Sequence, residues 1–350
     1  MPKMIKSLSL TGAVFFSIFL ANAAFSESST QERVFTIEER ILFKGLPQDI
    51  SALRIWVPYP VEDSQQTIED LKLEGPFDFQ IITDSEYNNR ILYLKPKELT
   101  PHSDSAQVIL SFKVQRREYA MPYAEIPHGK ALARFLKADR LVPVNGRIRQ
   151  LAKEITKGKK DGLEKVRALY DYIINELTYS KDDPKVCGIG DSLLTLEHKK
   201  GICTDYHSLF ISLVRSLGIP AKFEIGFRIP TDAQEGKLNG YHCWAKFYLL
   251  PKAPACRLGR DSSTAKKDKG WIPVDISEAD KHPEKKDYFF GHIDENRVHL
   301  TTGRDIRLSY AKEREPLNFF VYPYVQLNGE RYDALETNIF FKQKDKTENY

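Results

Sequence analysis

The sequence has few cysteines and no strong excess of charge of either sign. Its 350 residues include 4 cysteines, too few for a disulfide-stabilised scaffold. The 52 basic and 48 acidic residues are too balanced to indicate a nucleic-acid-binding surface. Nucleotide-binding loops, flavin fingerprints, CxxC pairs and HExxH motifs are absent, so we expect no cofactor. The 41% of hydrophobic residues suffices for a folded core, which excludes a wholly disordered chain.

Long hydrophobic runs are also scarce, and the most apolar one is short. Residues 8–20 are apolar, follow Lys3 and Lys6, and precede the small residues of the segment ANA at 21–23. This order predicts a secretory signal peptide over residues 1–23, cleaved before Ala24. Thirteen residues are too few to cross a hydrocarbon core of about 30 Å. We therefore expect an exported protein, periplasmic or secreted, with no integral membrane segment after cleavage.

The pattern of apolar residues divides the remaining chain in two. Between residues 30 and 120, short strand-like runs at 35–38, 53–57, 79–82, 91–94 and 108–112 predict a small β-sandwich domain. After an irregular stretch at 120–129, helical spacing comes first and strand patterns follow, which predicts an α+β domain over residues 130–341. Residues 342–350 form a polar tail.

Cys203 has the position most suggestive of chemistry. It follows the segment GI at 201–202 and opens an apolar pattern that predicts a helix ending at Gly218. At a helix start, unpaired backbone N–H groups and the positive end of the helix dipole favour the thiolate, which is the nucleophilic form. The ordinary alternative is a buried, inert cysteine.

A nucleophilic cysteine needs a base, and the base needs a group that orients it. His242 lies in the segment GYHCW at 240–244, at the start of a predicted strand. Asp275 lies in the segment GWIPVD at 270–275, near the end of the next strand. Adjacent strands could set the Asp275 carboxylate beside the imidazole. The ordinary alternatives are a half-buried strand histidine and an aspartate that opens a turn.

Several segments together resemble the transglutaminase-like superfamily of cysteine enzymes, and more narrowly exported bacterial transglutaminase-like domain proteins. They are KGICTD at 200–205, RSLGIPA at 215–221, GYHCW at 240–244, GWIPVD at 270–275 and TGRDI at 302–306. The resemblance covers roughly residues 130–325. It implies a papain-like α+β fold in which Cys203, His242 and Asp275 occupy the family's triad positions.

The resemblance also implies a reaction. Cys203 would attack a carboxamide or peptide carbonyl with help from His242, which Asp275 orients, and an acyl-enzyme thioester would form. Animal-type transglutaminases carry a tryptophan upstream of the nucleophile as an oxyanion donor, whereas here only Trp56 precedes Cys203 and it lies in the other predicted domain. This favours hydrolysis, as a protease or deamidase, over cross-linking. We expect a protein or peptide substrate, no nucleic acid, and an envelope protein as a partner.

Other roles for the residues around Cys203 remain open at this level. His207 lies four residues further along the same helix face and could be an alternative base or pack beneath the site. Cys203, His207, His242 and Cys243 could bind zinc, although strand alternation predicts that Cys243 points away from His242 into the core. A non-catalytic binding or assembly module that retains the triad is the alternative function.

Two further groups are predicted from their surroundings. Cys187 and Cys256 flank the predicted catalytic core in loops, and they could form a disulfide or both be free. His282, His292 and His299 lie in a polar region without partner spacing and are predicted to be surface residues.

Overall fold

The computed structural model describes residues 31–47, 50–97, 105–120, 132–249, 270–312 and 315–344. All of them belong to one compact unit. The predicted signal peptide at 1–23, the loop that contains Cys256, and most of the polar tail lie outside the described residues.

Strands dominate the described chain. In chain order they are β1 (Glu32–Lys44), β2 (Leu53–Pro58), β3 (Gln66–Glu74), β4 (Phe77–Thr83), β5 (Arg90–Pro96), β6 (Ser105–Arg117), β7 (Tyr119–Ala120), β8 (Thr178–Tyr179), β9 (Lys200–Gly201), β10 (Ala221–Arg228), β11 (Glu235–Lys237), β12 (His242–Tyr248), β13 (Trp271–Val274), β14 (His292–Ile293), β15 (Arg297–Thr302), β16 (Tyr324–Leu327), β17 (Glu330–Arg331) and β18 (Leu335–Gln343).

The helices begin after β7 and alternate with the strands that follow. They are α1 (Gly146–Ile155), α2 (Gly162–Glu176), α3 (Ser192–His198), α4 (Cys203–Ser216) and α5 (Ile276–Lys281), with short 3₁₀ turns at Ala133–Leu136 and Pro283–Lys285. None of the helices in the described residues combines the length and the hydropathy needed to span a bilayer.

Two five-stranded antiparallel sheets contain the predicted β-rich N-terminal region. One sheet has the strand order β11-β18-β1-β6-β3 and the other β17-β16-β2-β5-β4. Buried residues alternate along β1, and Phe35, Ile37 and Ile41 share a core with Ile55 and Val57 of β2. This alternation is what an antiparallel sheet with one covered face requires. The predicted α+β class, with a β-rich N-terminal region, is confirmed.

The chain returns to these sheets after the helices, which the predicted domain boundaries do not include. β18 pairs with β1 from Phe35↔Gln343 to Phe43↔Leu335, and β16 pairs with β2. The sandwich is therefore completed by residues that the sequence analysis assigned to the transglutaminase-like domain at 130–341. Strand partners nearly 300 residues apart leave no local pattern from which such pairing can be read.

A third antiparallel sheet supports α4. Its strand order is β13-β12-β10-β15, and α4 packs against β12 and β10. β10 and β15 approach closely at Gly226, where an added Cβ would lie 1.8 Å from the carbonyl oxygen of Val298. The start of α4, the start of β12 and the end of β13 thus fall in one region of the fold, which is where the sequence analysis placed its candidate residues.

Candidate active site

The first turn of α4 is held in place by a buried carboxylate. Cys203 is the first residue of α4, as predicted, and Ile202 is its N-cap. Asp205 accepts hydrogen bonds from the backbone N–H of Ile202 at 2.7 Å, of Gly188 at 2.6 Å and of Gly190 at 2.7 Å. An acidic group in the first turn also complements the helix dipole. The position of the Cys203 backbone is therefore fixed from both sides of the turn.

The TGRDI segment contributes a second clamp on the same loop. Arg304 is buried and donates from Nη2 to the carbonyl of Gly190 at 3.2 Å and from Nε to that of Asn318 at 2.9 Å. Its Nη1 donates to Ser208 Oγ on α4. Arg304 thus ties α4 to the loop before it, which gives the segment a structural role next to the site.

The three candidate residues lie together. His242 begins β12 and its Nε2 lies 2.6 Å from Asp275 Oδ2, which leaves Nδ1 for Cys203, its hydrogen-bond partner. Asp275 follows β13 directly and caps α5, accepting from the backbone N–H of Glu278 at 3.1 Å. Cys203 is only 2% exposed, His242 5% and Asp275 0%. A cysteine, a histidine and a carboxylate in this order have the arrangement of nucleophile, base and orienting group that acyl transfer requires.

Arg297 is a site residue that the sequence analysis missed. It is fully buried in β15 and donates from Nη2 to Asp275 Oδ2 at 2.9 Å and from Nη1 to Asp294 Oδ1 at 2.9 Å. The pairing of β15 with β10 places it there, and its local sequence is that of a polar surface. No sequence signal distinguishes it from the exposed arginines of the chain.

The charges in the site favour a thiolate–imidazolium pair. Hydrogen bonding from Cys243, opposed by burial and aided by His242, holds the pKa of Cys203 well below its usual range. Burial would lower the pKa of His242, but Asp275 and Cys203 together raise it to about 9. Burial would raise the pKa of Asp275, but His242 and Arg297 hold it well below its usual range. These shifts favour the charged form of each side chain, the thiolate of Cys203 and the imidazolium of His242.

His207 does not have the contacts of an alternative base. Its Nδ1 lies 2.7 Å from the carbonyl oxygen of Cys203, so Nδ1 carries the proton, and its Nε2 accepts from the backbone N–H of Ile276 at 3.0 Å. These partners fix the neutral tautomer, and burial lowers its pKa. His207 therefore packs beneath the site, which is one of the two roles that the sequence analysis left open for it. Both ring nitrogens are occupied, so neither has a lone pair for zinc. Among the described residues, no cluster of His, Cys, Asp and Glu is suited to a metal ion.

The structure confirms the prediction that Cys243 is a core thiol. Cys243 is fully buried, and its sulfur lies 3.7 Å from His207 Nδ1. Cys243 is the second residue of β12, where the start of α4 packs against the strand. Its sulfur therefore faces the first turn of α4. Cys187 is a free, half-buried thiol, and Cys256 lies outside the described residues, so their pairing stays a prediction.

The prediction for the three outer histidines holds only in part. His282 and His292 are half-buried, but His299 is buried, with its ring 5.6 Å from that of Trp244. Trp244 in turn donates from its indole to Glu224 at 2.7 Å. His299 lies in a polar run of the sequence, so its burial could not be predicted. It is buried because β15 pairs with β10 at the edge of the third sheet.

Three half-buried tyrosines are close enough to Cys203 for its charge to affect their pKa values. The charge of Cys203 adds to burial in raising the pKa values of Tyr179, Tyr241 and Tyr322. The hydroxyl of Tyr241 lies 2.8 Å from Thr204 Oγ1, and the rings of Tyr241 and Tyr322 meet edge to face at 6.2 Å.

The site lies within a segment that matches a known family. Residues 149–276 match the family model for the transglutaminase-like superfamily. This range contains α4, the start of β12 and the whole of β13. Over these residues the chain is similar to the transglutaminase-like superfamily. Its relatives include an uncharacterized protein of Haemophilus influenzae, 24% identical over 329 residues that cover 82% of this chain and 84% of the relative. The uncharacterized protein YebA of Bacillus subtilis is 28% identical over 116 residues, which are 29% of this chain and 16% of YebA.

One solved structure shares the fold of this chain. A candidate cysteine protease from Cytophaga hutchinsonii superimposes with a TM-score of 0.53 at 17% identity, covering 90% of this chain and 98% of that one. At that identity the likeness establishes the fold. The periplasmic domain of TgpA from Pseudomonas aeruginosa matches with a TM-score of 0.33 at 15% identity, covering 71% of this chain and 90% of that one.

Proposed function

We propose that the protein is a thiol enzyme that acts on amide or peptide bonds through Cys203, His242 and Asp275. The observation that carries this proposal is the 2.6 Å contact between His242 Nε2 and Asp275 Oδ2 beside a hydrogen-bonded, low-pKa cysteine at a helix start. Buried, inert cysteines lack such partners. The chemistry belongs to acyl transfer.

The reaction begins with the thiolate of Cys203 attacking the carbonyl carbon. The backbone N–H of Cys203 lies in the first turn of α4, where N–H groups have no intrahelical acceptor, and it donates to the developing oxyanion. The imidazolium of His242 then protonates the departing amine, which leaves an acyl-enzyme thioester. Neutral His242 next activates the acceptor, and Asp275 holds the ring in position throughout.

Water is the acceptor that the site favours, which makes the enzyme a protease or a deamidase. The indole N–H of Trp244 donates to Glu224 at 2.7 Å and that of Trp56 to the carbonyl of Ser309 at 2.9 Å. Neither indole is therefore free to act as an oxyanion donor of the kind that cross-linking relatives use. The substrate class is a protein or a peptide.

Alkylation tests the nucleophile without any knowledge of the substrate. The reduced protein is treated with iodoacetamide over a range of pH, and the labelling of Cys203 is compared with that of Cys187, the free, half-buried thiol. We expect Cys203 to react well below the usual thiol pKa of about 8.5, because its thiolate is stabilised. Equal reactivity of the two thiols would favour the binding-module alternative.

Trapping the acyl-enzyme tests turnover. The protein is incubated with a soluble envelope extract, quenched in acid, and digested for mass spectrometry of the Cys203 peptide. We expect an acyl adduct that is absent from Cys203→Ala and retained in Cys187→Ala. New carboxylates, at peptide C-termini or at deamidated side chains, identify hydrolysis, whereas a fluorescent primary amine joined to the acyl group identifies cross-linking and contradicts the preference for water. Turnover should fall above about pH 9, where His242 loses its proton.

We propose also that the protein is exported. The basic, apolar and small-residue order of residues 1–23 supports this. Cell fractionation and the intact mass of the mature protein test it: we expect an envelope or secreted form that begins at Ala24. A cytoplasmic protein that retains residues 1–23 would contradict the proposal.

A further inference from the structure

Cys243 is a buried thiol at the site that the proposed mechanism does not use. Its sulfur lies 3.7 Å from His207 Nδ1 and 4.0 Å from Thr204 Oγ1. Thr204 follows Cys203 in α4, and His207 Nδ1 donates to the carbonyl oxygen of Cys203 at 2.7 Å. The sulfur of Cys243 is thus packed beneath the first turn of α4, where Cys203 lies, and the two thiols shift each other's pKa values.

The two thiols differ in charge and in access. Hydrogen bonding from Cys243 favours the thiolate of Cys203, whereas burial raises the pKa of Cys243 well above its usual range. Cys203 lies near the half-buried tyrosines, while Cys243 is wholly enclosed. A small oxidant therefore meets a reactive thiolate at Cys203, and the neighbouring Cys243 is a buried, protonated thiol.

We propose that Cys203 and Cys243 form a reversible disulfide when a hydroperoxide oxidises Cys203. The thiolate attacks the O–O bond of ROOH: a S–O bond forms, the O–O bond breaks, sulfur loses two electrons, and the alkoxide takes a proton from the imidazolium of His242 to leave as ROH. Cys243 then attacks the sulfenic sulfur. The S–S bond forms, the S–O bond breaks, and the hydroxyl leaves with the thiol proton as water.

This step protects the nucleophile at the expense of activity. A sulfenic acid without a neighbouring thiol is oxidised further to sulfinic acid, which dithiothreitol does not reduce. The disulfide, in contrast, is reduced to two thiols by a dithiol such as dithiothreitol. The pair would therefore hold Cys203 inactive and recoverable in the presence of peroxide.

The test follows the cysteines themselves, so it does not depend on a substrate. Reduced full-length protein is exposed to hydrogen peroxide, free thiols are blocked with N-ethylmaleimide, and the digest is analysed by mass spectrometry. We expect a cross-linked pair of peptides containing Cys203 and Cys243, two hydrogens lighter than their sum, that dithiothreitol separates. Cys187→Ala, which removes a thiol outside the proposed pair, should give the same product.

Cys243→Ala supplies the decisive comparison. Without the second thiol, Cys203 should be trapped by dimedone as sulfenic acid and should accumulate sulfinic acid about tenfold faster than in the unaltered protein. Equal sulfinic acid formation in both proteins, or a cross-link from Cys203 to Cys187 or between two molecules, would overturn the proposal. The peptide analysis of the unaltered protein decides the matter if the variant does not fold. Iodoacetamide labelling of Cys203 before peroxide treatment tests the reactive thiolate on which the proposed enzyme function depends. A reactive Cys203 that forms no disulfide with Cys243 would overturn only the disulfide proposal.

Discussion

Replacement of Glu39 by glutamine should make the folded protein more stable in alkaline solution. Glu39 lies on the inward face of β1, opposite Leu110 and Ile339, and is 4% exposed. Its Oε1 accepts no hydrogen bond from any residue that the structure describes. Burial raises the pKa of Glu39 to about 8, so the carboxyl is largely protonated at neutral pH.

The size of the effect follows from proton linkage. The folded protein holds this proton up to about pH 8, whereas the unfolded chain releases it near the ordinary value of 4.5. Unfolding therefore releases a proton between these values, and the free energy of unfolding falls as the pH rises through them. The interval of about 3.5 pH units corresponds to at most about 5 kcal/mol at 1.36 kcal/mol each, of which about 4 kcal/mol falls between pH 5 and pH 9.

Urea unfolding at pH 5, 7 and 9 measures this contribution directly. The stability of Glu39→Gln relative to the unaltered protein should increase by about 4 kcal/mol from pH 5 to pH 9, because the amide does not titrate. Glu38→Gln, on the outward face next to Arg40, gives the baseline for the same chemical change at a solvated position. A difference between Glu39→Gln and the unaltered protein that stays constant across this pH range would refute the reasoning.

Three further substitutions test the site and its support. Asp275→Asn should lower iodoacetamide labelling of Cys203 at neutral pH and shift its pH profile upward, because the carboxylate no longer sustains the imidazolium; turnover should fall roughly 10²–10⁴-fold. Arg297→Met breaks a buried ion pair and should cost about 3–5 kcal/mol in urea unfolding. Gly201→Ala places a Cβ 2.4 Å from that of Asp205 and should lower the melting temperature, with an unfolding cost of about 1–3 kcal/mol. Unchanged labelling, urea midpoint or melting temperature, respectively, would contradict each expectation.

The positions of the candidate residues could be predicted because each depends on local sequence. A glycine-led turn before an apolar helical pattern places Cys203 at a helix start, and α4 begins there. The strand pattern at His242 begins where β12 begins, and the strand pattern before Asp275 ends where β13 ends. Short-range patterns of this kind carry over to three dimensions because the backbone hydrogen bonds of a helix or the alternation of a strand determine them.

The supporting residues could not be predicted because they depend on long-range register. Arg297 reaches Asp275 only through the pairing of β15 with β10, which shifts register between Ile225 and Gly226. The closing strand β18 likewise finds its partner β1 almost 300 residues away. Composition and periodicity describe each segment separately, so buried charges such as Arg297 look like surface residues until their partners are placed.

The site is a chain of charges in which each member depends on the next. Arg297 and Asp294 form one pair, and Arg297 also secures the carboxylate of Asp275. That carboxylate sustains the imidazolium of His242, which together with Cys243 sustains the thiolate of Cys203. Buried charges are tolerated only when they are paired, so loss of any one partner leaves another charge uncompensated. The same dependence explains why Cys243 bears on the nucleophile: a neutral donor stabilises the last charge in the chain without adding another, and on oxidation of Cys203 it is the thiol that lies within reach.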